Sequence, residues 1–217
     1  EEIVIAVVMM VMMMIMMIAF HGQHGVEETA EECKRLGAEA HAFVVDCSKK
    51  EDIYKAAEKV KEEIGDVSIL MNNAGVVAAT DVLSIDDHDI QKIFEVNILA
   101  HYWVIITIKA FLPKMMRNNH GHIITVASAG GHLVTPFLVA YCSSKFAAVG
   151  FHRALTQELA ALGKNGIKTS CVCPMFIKSD FVKNPSSRIL PARAAAAFWK
   201  MTELKFDYVL GYKDKEE

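Results

Sequence analysis

Ser128 lies thirteen residues ahead of Tyr141-Cys142-Ser143-Ser144-Lys145, a run that reads as the start of a helix. On a helix, positions i and i+4 share a face, so the Lys145 ammonium is expected beside the Tyr141 phenol, where it favours the ionised form. A free phenol titrates near pH ~10 and is only about one part in a thousand ionised at neutral pH; each unit of lowering is worth roughly 1.4 kcal/mol. The pair therefore predicts a general base made from a weak acid, with the Ser128 hydroxyl upstream of it. Taken singly, each feature has a plain structural reading: a Tyr/Lys pair is an ordinary helical face, and a serine at a strand end caps a loop. Their order along the chain is what argues for chemistry.

The surrounding elements suit that chemistry. The apolar run Val67-Ser68-Ile69-Leu70-Met71 empties into Asn72-Asn73-Ala74-Gly75, and Asn97 lies in a later helical stretch. Ile123 to Ser128 reads as a strand, 139 to 163 as a helix, and 167 to 173 as a strand stopped by Pro174. Upstream, 25 to 36 reads as a Glu-rich helix ending near Gly37, and His41 to Asp46 as a buried strand. Ser48 with Glu51 forms a capping box for a helix carrying Ile53, Ala56, Ala57, Val60 and Ile64, which Gly65 stops. A long helix from about Asp86 to Met116 is expected to be broken near Thr80 to Ile85 and at Pro113. Strands alternating with helices predict an α/β fold, a three-layer, doubly wound parallel sheet whose ligands bind at strand carboxyl ends. Gly130, Gly131 and Pro136 mark the connection between Ser128 and Tyr141 as irregular and exposed, the place for an active site.

The 217 residues are one domain by length, and a net charge of −3 with mixed signs gives no basic stripe, which argues against nucleic acid as a partner. Cysteines at 33, 47, 142, 171 and 173 form neither an even set nor a zinc-type pair, so they are read as reduced and buried. Cys171 and Cys173 alternate on one strand, point to one face, and are read as small core residues. The nine histidines are scattered, His120-Gly121-His122 reads as a turn, and no metal is predicted. The helices near 90 to 112 and 139 to 162 carry more apolar surface than one sheet face covers, which makes pairing with a second subunit plausible.

Asn72-Asn73-Ala74-Gly75, Asn97, Ser128, Tyr141 and Lys145, in that order, resemble the short-chain dehydrogenase/reductase family. Within it the wording is similar to the 17-beta-hydroxysteroid dehydrogenases of types 11 and 13, through Val45-Asp46-Cys47-Ser48, Gly65-Asp66-Val67-Ser68-Ile69, Phe94-Glu95-Val96-Asn97 and the block from Gly121 to His152. The resemblance implies a Rossmann-like fold and an NAD- or NADP-dependent oxidoreductase interconverting a secondary alcohol and a ketone on an apolar substrate, such as a 17-beta-hydroxysteroid or a retinoid. It implies that Asn97, Ser128, Tyr141 and Lys145 are catalytic: Tyr141 moves the proton, Lys145 tunes Tyr141 and holds the nicotinamide ribose, Ser128 binds the substrate oxygen, and Asn97 interrupts its helix to hold a relaying water. Asp46 would contact the adenine, Asn73, Ala74 and Gly75 would line the adenosine side, and Ile177 and Ser179 would reach the nicotinamide amide. A homodimer is implied, with a place on the cytoplasmic face of the endoplasmic reticulum or on a lipid droplet.

The chain also departs from the family. Its first βαβ unit should carry Thr-Gly-x-x-x-Gly-x-Gly, whose glycines let the backbone approach a pyrophosphate. Here Ile3 to Val8 runs into a methionine-rich stretch with no glycine before Gly22. If Ile3 to Val8 and Ile15 to Phe20 were both strands, six residues would join them, whereas a crossover needs about ten or more. Residues 1 to 24 are thus an atypical segment with three readings: a degenerate first βαβ unit, a buried core element, or a membrane or lipid-surface anchor. As a helix, the 18 uncharged residues from Ile3 to Phe20 would span roughly 27 Å. Phe20 stands where an acidic residue should hold the adenosine ribose, Met175 replaces the glycine after Pro174, and Lys178-Ser179 replaces Asn-Thr. After Pro185 the family wording jumps, which reads as a truncated tail over 186 to 217. The alternative to an active enzyme is therefore an impaired relative that binds ligands or a lipid surface, with weak NAD binding expected of the chain as written.

Overall fold

The computed structural model describes residues 16–20, 23–106 and 111–175, with side chains described over 25–103 and 111–175. Strand β1 (Met16–Phe20) pairs in parallel with β2 (Ala40–Val44), Phe20 opposite Val44. The last five residues of the apolar run are therefore strand, so a single helix over Ile3 to Phe20 does not form. Helix α1 (Gln23–Arg35) crosses between the two strands, as parallel pairing demands. Its apolar residues Val26, Ala30 and Cys33 fall at i, i+4 and i+7 and bury against Ala40. Gly37 at φ +92° ends it, donating its N–H to Lys34 O at 2.9 Å, in a left-handed turn suited to glycine.

Helix α2 (Lys50–Glu63) buries Ile53, Ala57 and Val60, again at i, i+4 and i+7. The expected capping box at its start is not formed. Ser48 instead donates both its N–H (3.0 Å) and its hydroxyl (2.7 Å) to Asp46 Oδ1, while Lys49 takes the cap position without a side-chain cap. With its N–H and hydroxyl both tied to a carboxylate two residues back, Ser48 is held in a turn ahead of the helix instead of at its cap. Gly65, at φ +108°, stops the helix as expected.

Strands β3 (Ile69–Asn72), β4 (Gly121–Val126) and β5 (Ile167–Val172) form an all-parallel sheet in that order. In the central strand Gly121, Ile123 and Thr125 are buried, and Leu70, Leu112, Met115, Ile123, Leu159 and Ile167 form one core cluster. Because the strands run the same way, Asn72, Ser128 and Cys173 arrive at the same edge. Among the described residues no strand joins this sheet to β1 and β2; packing joins them instead. Val45 and Ile53 pack with Ala100, while Ala57 and Val60 pack with Phe111.

The long helix expected from Asp86 to Met116 is divided. Helix α3 (Asp87–Phe94) is capped by Asp86, whose side chain accepts the Asp89 N–H at 3.1 Å. A π turn at Glu95–Leu99 follows, then α4 (Ala100–Ile106). The break expected at Pro113 falls where a new helix begins: Pro113 sits in the first turn of α5 (Leu112–Asn118), where its missing N–H costs nothing. Helix α6 (Val139–Ala161) lies across β4 and β5 and completes a parallel α/β fold of Rossmann type.

Candidate active site

Ser128 is fixed by its neighbours' amides. The Ala127 N–H donates to Val172 O at 2.8 Å and the Ala129 N–H to Pro174 O at 2.9 Å, so β5 grips the chain on both sides of the serine. Its hydroxyl oxygen accepts the Gly130 N–H at 3.1 Å and caps a short 3-10 turn, Ala129–Gly131. The connection from Ser128 to Tyr141 is irregular and exposed at His132, Val134 and Pro136, as expected, but its first turn is tucked in. Gly131 is buried, and a Cβ there would meet Lys145 O at 2.6 Å, so only glycine lets the turn lie against α6.

The turn faces the first turns of α6, where Tyr141 and Lys145 are both buried, with Lys145 only 3% exposed. The two sit on one side of the helix: Lys145 Nζ is 5.8 Å from the Tyr141 ring centroid. Tyr141 hydrogen-bonds with Ser128. Lys145 Nζ donates to Val126 O at 3.3 Å. The expected electrostatic outcome is reversed. Burial raises the Tyr141 phenol, outweighing the lowering by the Ser128 hydrogen bond, so the tyrosine rests protonated. Lys145 is the group that moves towards neutrality, pushed down by burial to about 8 against the pull of the Cys173 and Cys171 thiols. Desolvation wins because the ammonium is almost wholly buried and its hydrogen bond goes to a neutral backbone carbonyl.

Asn97 is fully buried inside the π turn, so the predicted helix interruption is present. Its Oδ1 accepts the Val76 N–H at 2.7 Å, and its Nδ2 donates to Val76 O and to Ser144 Oγ, both at 2.9 Å. With the side-chain amide so committed, any water held here falls to the backbone carbonyls that a π turn releases. Gly75 closes the floor: a Cβ there would stand 3.4 Å from Lys145 Nζ and 3.6 Å from Asn97 Oδ1. Asn97, Gly75, Lys145, Tyr141 and Ser128 are thus brought together, with half-buried Asn73 and Ala74 beside them on the turn after β3. Asp46 stands apart at the end of β2, with Oδ2 3.3 Å from Lys49 Nζ. Ile177 and Ser179 lie outside the described residues.

Two site residues escape sequence reasoning. Ser144 is fully buried and donates to Tyr141 O at 2.7 Å while accepting from Asn97; its only sequence signal is a serine three positions after the tyrosine. His101, one turn beyond Asn97, is 1% exposed, and neither ring nitrogen has a hydrogen-bond partner among the described residues. Burial and the Lys145 charge push it down to about 3, so it is neutral. The side-chain-free floor at Gly75, beside a lysine and an asparagine, fits the ribose end of a nicotinamide nucleotide. Among the described residues no group of three His, Cys, Asp or Glu side chains is placed to hold a metal ion. A cavity of about 210 Å³ near Phe94, Phe137 and Ala140 includes none of Asn97, Ser128, Tyr141 or Lys145 in its lining.

A family model described as short chain dehydrogenase matches residues 4–189. The chain is 54% identical over 232 residues to estradiol 17-beta-dehydrogenase 11 of Mus musculus, covering 89% of this chain and 77% of the relative. It is 61% identical over 169 residues to 17-beta-hydroxysteroid dehydrogenase 13 of Homo sapiens, covering 78% of this chain and 55% of that one. Among solved structures, an actinorhodin polyketide ketoreductase variant with NADPH superposes at TM-score 0.70 with 26% identity, covering 87% of this chain and 66% of that chain. A short chain dehydrogenase/reductase from Burkholderia phymatum in complex with NAD superposes at 0.68 with 24% identity, covering 84% and 68%. This chain belongs to the short-chain dehydrogenase family, as an oxidoreductase homologous to the hydroxysteroid dehydrogenases.

Proposed function

We propose that this protein interconverts a secondary alcohol and a ketone on an apolar substrate of the 17-beta-hydroxysteroid or retinoid kind. The observation that carries the reading is the meeting of Ser128, Tyr141 and Lys145 beside Gly75 at the carboxyl ends of β3 and β4. In this reading Ser128 orients the substrate oxygen and Tyr141, protonated at rest, gives its proton to a ketone or takes one from an alcohol. Lys145, between charged and neutral near pH 8, exchanges that proton with the interior, and Asn97 holds the π turn through which water reaches it. A bound NAD or NADP would supply or accept the hydride. Lys145 would hold its ribose, Asn73, Ala74 and Gly75 would line its adenosine side, Asp46 would meet the adenine, and Ile177 and Ser179 the nicotinamide amide.

We also place the protein on the cytoplasmic face of the endoplasmic reticulum or on a lipid droplet, as a homodimer. Half-exposed Leu99, Tyr102 and Phe146 on the helices that carry Asn97 and Tyr141 support the pairing. No helix among the described residues is long and apolar enough to cross a membrane.

The test is reduction of an apolar 17-ketosteroid with NADH or NADPH, alongside calorimetric titration of each cofactor. Turnover that falls at least about 100-fold in Tyr141→Phe, with cofactor affinity retained, is the expected result. Unchanged turnover in that variant would remove Tyr141 from the mechanism. A second reading, an impaired relative that only binds apolar ligands, is favoured by the absence of glycine between Ile3 and His21. Its mark is no cofactor binding by this chain and recovery on building a glycine-rich turn into residues 9 to 21. Micromolar NAD binding by the unaltered chain would dismiss it.

A further inference from the structure

Cys171 and Cys173 read in the sequence as inert core residues, yet neither is fully buried, in contrast to Cys33 and Cys142. Cys173 immediately follows β5, and its sulfur lies 3.8 Å from the Cys171 sulfur and 3.4 Å from His132 Nε2, on the loop beyond the 3-10 turn. The Ser128 backbone amide also lowers this thiol. The hydrogen bond from Cys171, and then His132, lower the Cys173 thiol, while the same contact raises Cys171. Charge therefore settles on Cys173 and the proton stays on Cys171. A thiolate beside a protonated second thiol is the arrangement of an attacking and a resolving sulfur.

We propose that Cys173 is a modification site for hydrogen peroxide, with Cys171 as its resolving thiol, and that closing the pair loosens the grip of β5 on Ser128. The inference goes beyond the oxidoreductase reading and does not depend on it. The Cys173 thiolate attacks one peroxide oxygen: a sulfur–oxygen bond forms, the oxygen–oxygen bond breaks, and hydroxide leaves, giving a sulfenic acid. Cys171 gives its proton to that hydroxide and attacks the Cys173 sulfur. The disulfide forms, the sulfur–oxygen bond breaks, and the second hydroxide takes a proton from solvent. The two sulfurs together lose two electrons, and peroxide becomes two waters.

Closure has a structural consequence. The sulfurs must move from 3.8 Å to about 2 Å apart. Residues two apart on an extended strand are separated by roughly 6.6 Å, near the far limit a disulfide spans, so the backbone must bend between 171 and 173. Val172 O and Pro174 O flank Cys173, and they are the acceptors for Ala127 and Ala129. The bend therefore acts on both sides of Ser128.

The experiment treats the reduced full chain with hydrogen peroxide and follows each cysteine by peptide mass spectrometry. Cys47 is the internal reference, because burial and then Asp46 push its thiol up to about 11. The expected result is loss of two hydrogens from the peptide holding Cys171 and Cys173, at least about tenfold faster than oxidation of Cys47. Cys171→Ser should stop at a sulfenic acid on Cys173, captured by dimedone, and Cys173→Ser should leave Cys171 reduced. Amide hydrogen exchange at Ala127 and Ala129 should quicken once the disulfide forms. Oxidation of Cys173 no faster than Cys47, or no dimedone adduct on Cys173 in Cys171→Ser, would overturn the site. A disulfide formed with unchanged exchange at both amides would overturn its link to Ser128.

Discussion

Asn97 Nδ2 donates to Ser144 Oγ at 2.9 Å, joining residues 47 positions apart. Through this bond the π turn and the first turns of α6 hold each other, since Ser144 also donates to the carbonyl of Tyr141. The floor and the tyrosine are therefore one unit.

Ser144→Ala removes an acceptor from a fully buried amide and leaves one Asn97 hydrogen unsatisfied. The expected loss is about 1–3 kcal/mol in urea denaturation, together with reduced turnover. A loss below about 0.5 kcal/mol would mean that Asn97 finds another partner.

Lys145 gives stability a definite pH dependence. Its folded value, about 8, lies below the ordinary lysine value of 10.5. Between these two values the unfolded chain binds more protons than the folded one, so the lysine's contribution to stability rises with pH. The slope is about 1.4 kcal/mol per unit, and the gain is complete above the unfolded value. Denaturation of the wild type and of Lys145→Met, compared from pH 8 to 10, should diverge in favour of the wild type. A constant difference would contradict the buried, neutralised lysine.

His101 has the same sign in acid. Its folded value of about 3 lies below the ordinary histidine value of 6.5, so stability falls as pH drops through that interval, where only the unfolded chain gains the proton. His101→Leu should flatten the acid limb relative to the wild type. If both proteins lose stability in parallel from pH 6 to 4, the imidazole is not buried neutral.

Two glycines on neighbouring segments should behave oppositely. A Cβ at Gly131 would stand 2.6 Å from Lys145 O and 2.8 Å from Val149 Cγ2, whereas one at Gly150, inside α6, would meet nothing within 4 Å. Gly131→Ala should destabilise by about 1–3 kcal/mol, and Gly150→Ala should stabilise by about 0.5–1 kcal/mol through helix propensity. Thermal unfolding of the two variants checks both signs; a stabilising Gly131→Ala would show that the turn can lift from the helix.

Much of this was legible because the period of each element is short-range. The four-residue step from Tyr141 to Lys145 fixes a shared helical face, and Ile123 to Ser128 reads as a strand that overlaps β4 over Ile123 to Val126. Helix α2 shows how nearby chemistry misleads: Ser48 with Glu51 has the spacing of a capping box, yet the Asp46 carboxylate takes the hydroxyl. The sign of the tyrosine shift was illegible for another reason. Spacing tells which groups are near, but burial depth is a property of the whole fold, and here burial raises the phenol. Ser144 and His101 escaped notice because their significance lies across the interior, in partners or in having none among the described residues.

The paired amides at Ala127 and Ala129 carry a consequence for how this chain tolerates genetic change. Each is matched to one carbonyl of residues 172 and 174, with no slack between them. Adding or deleting one codon between Gly166 and Pro174 would turn every later side chain to the opposite side and offer the wrong carbonyl to each amide. Insertions in the surface loop at Leu162 to Asn165 should be accepted far more readily than any length change in the strand that follows.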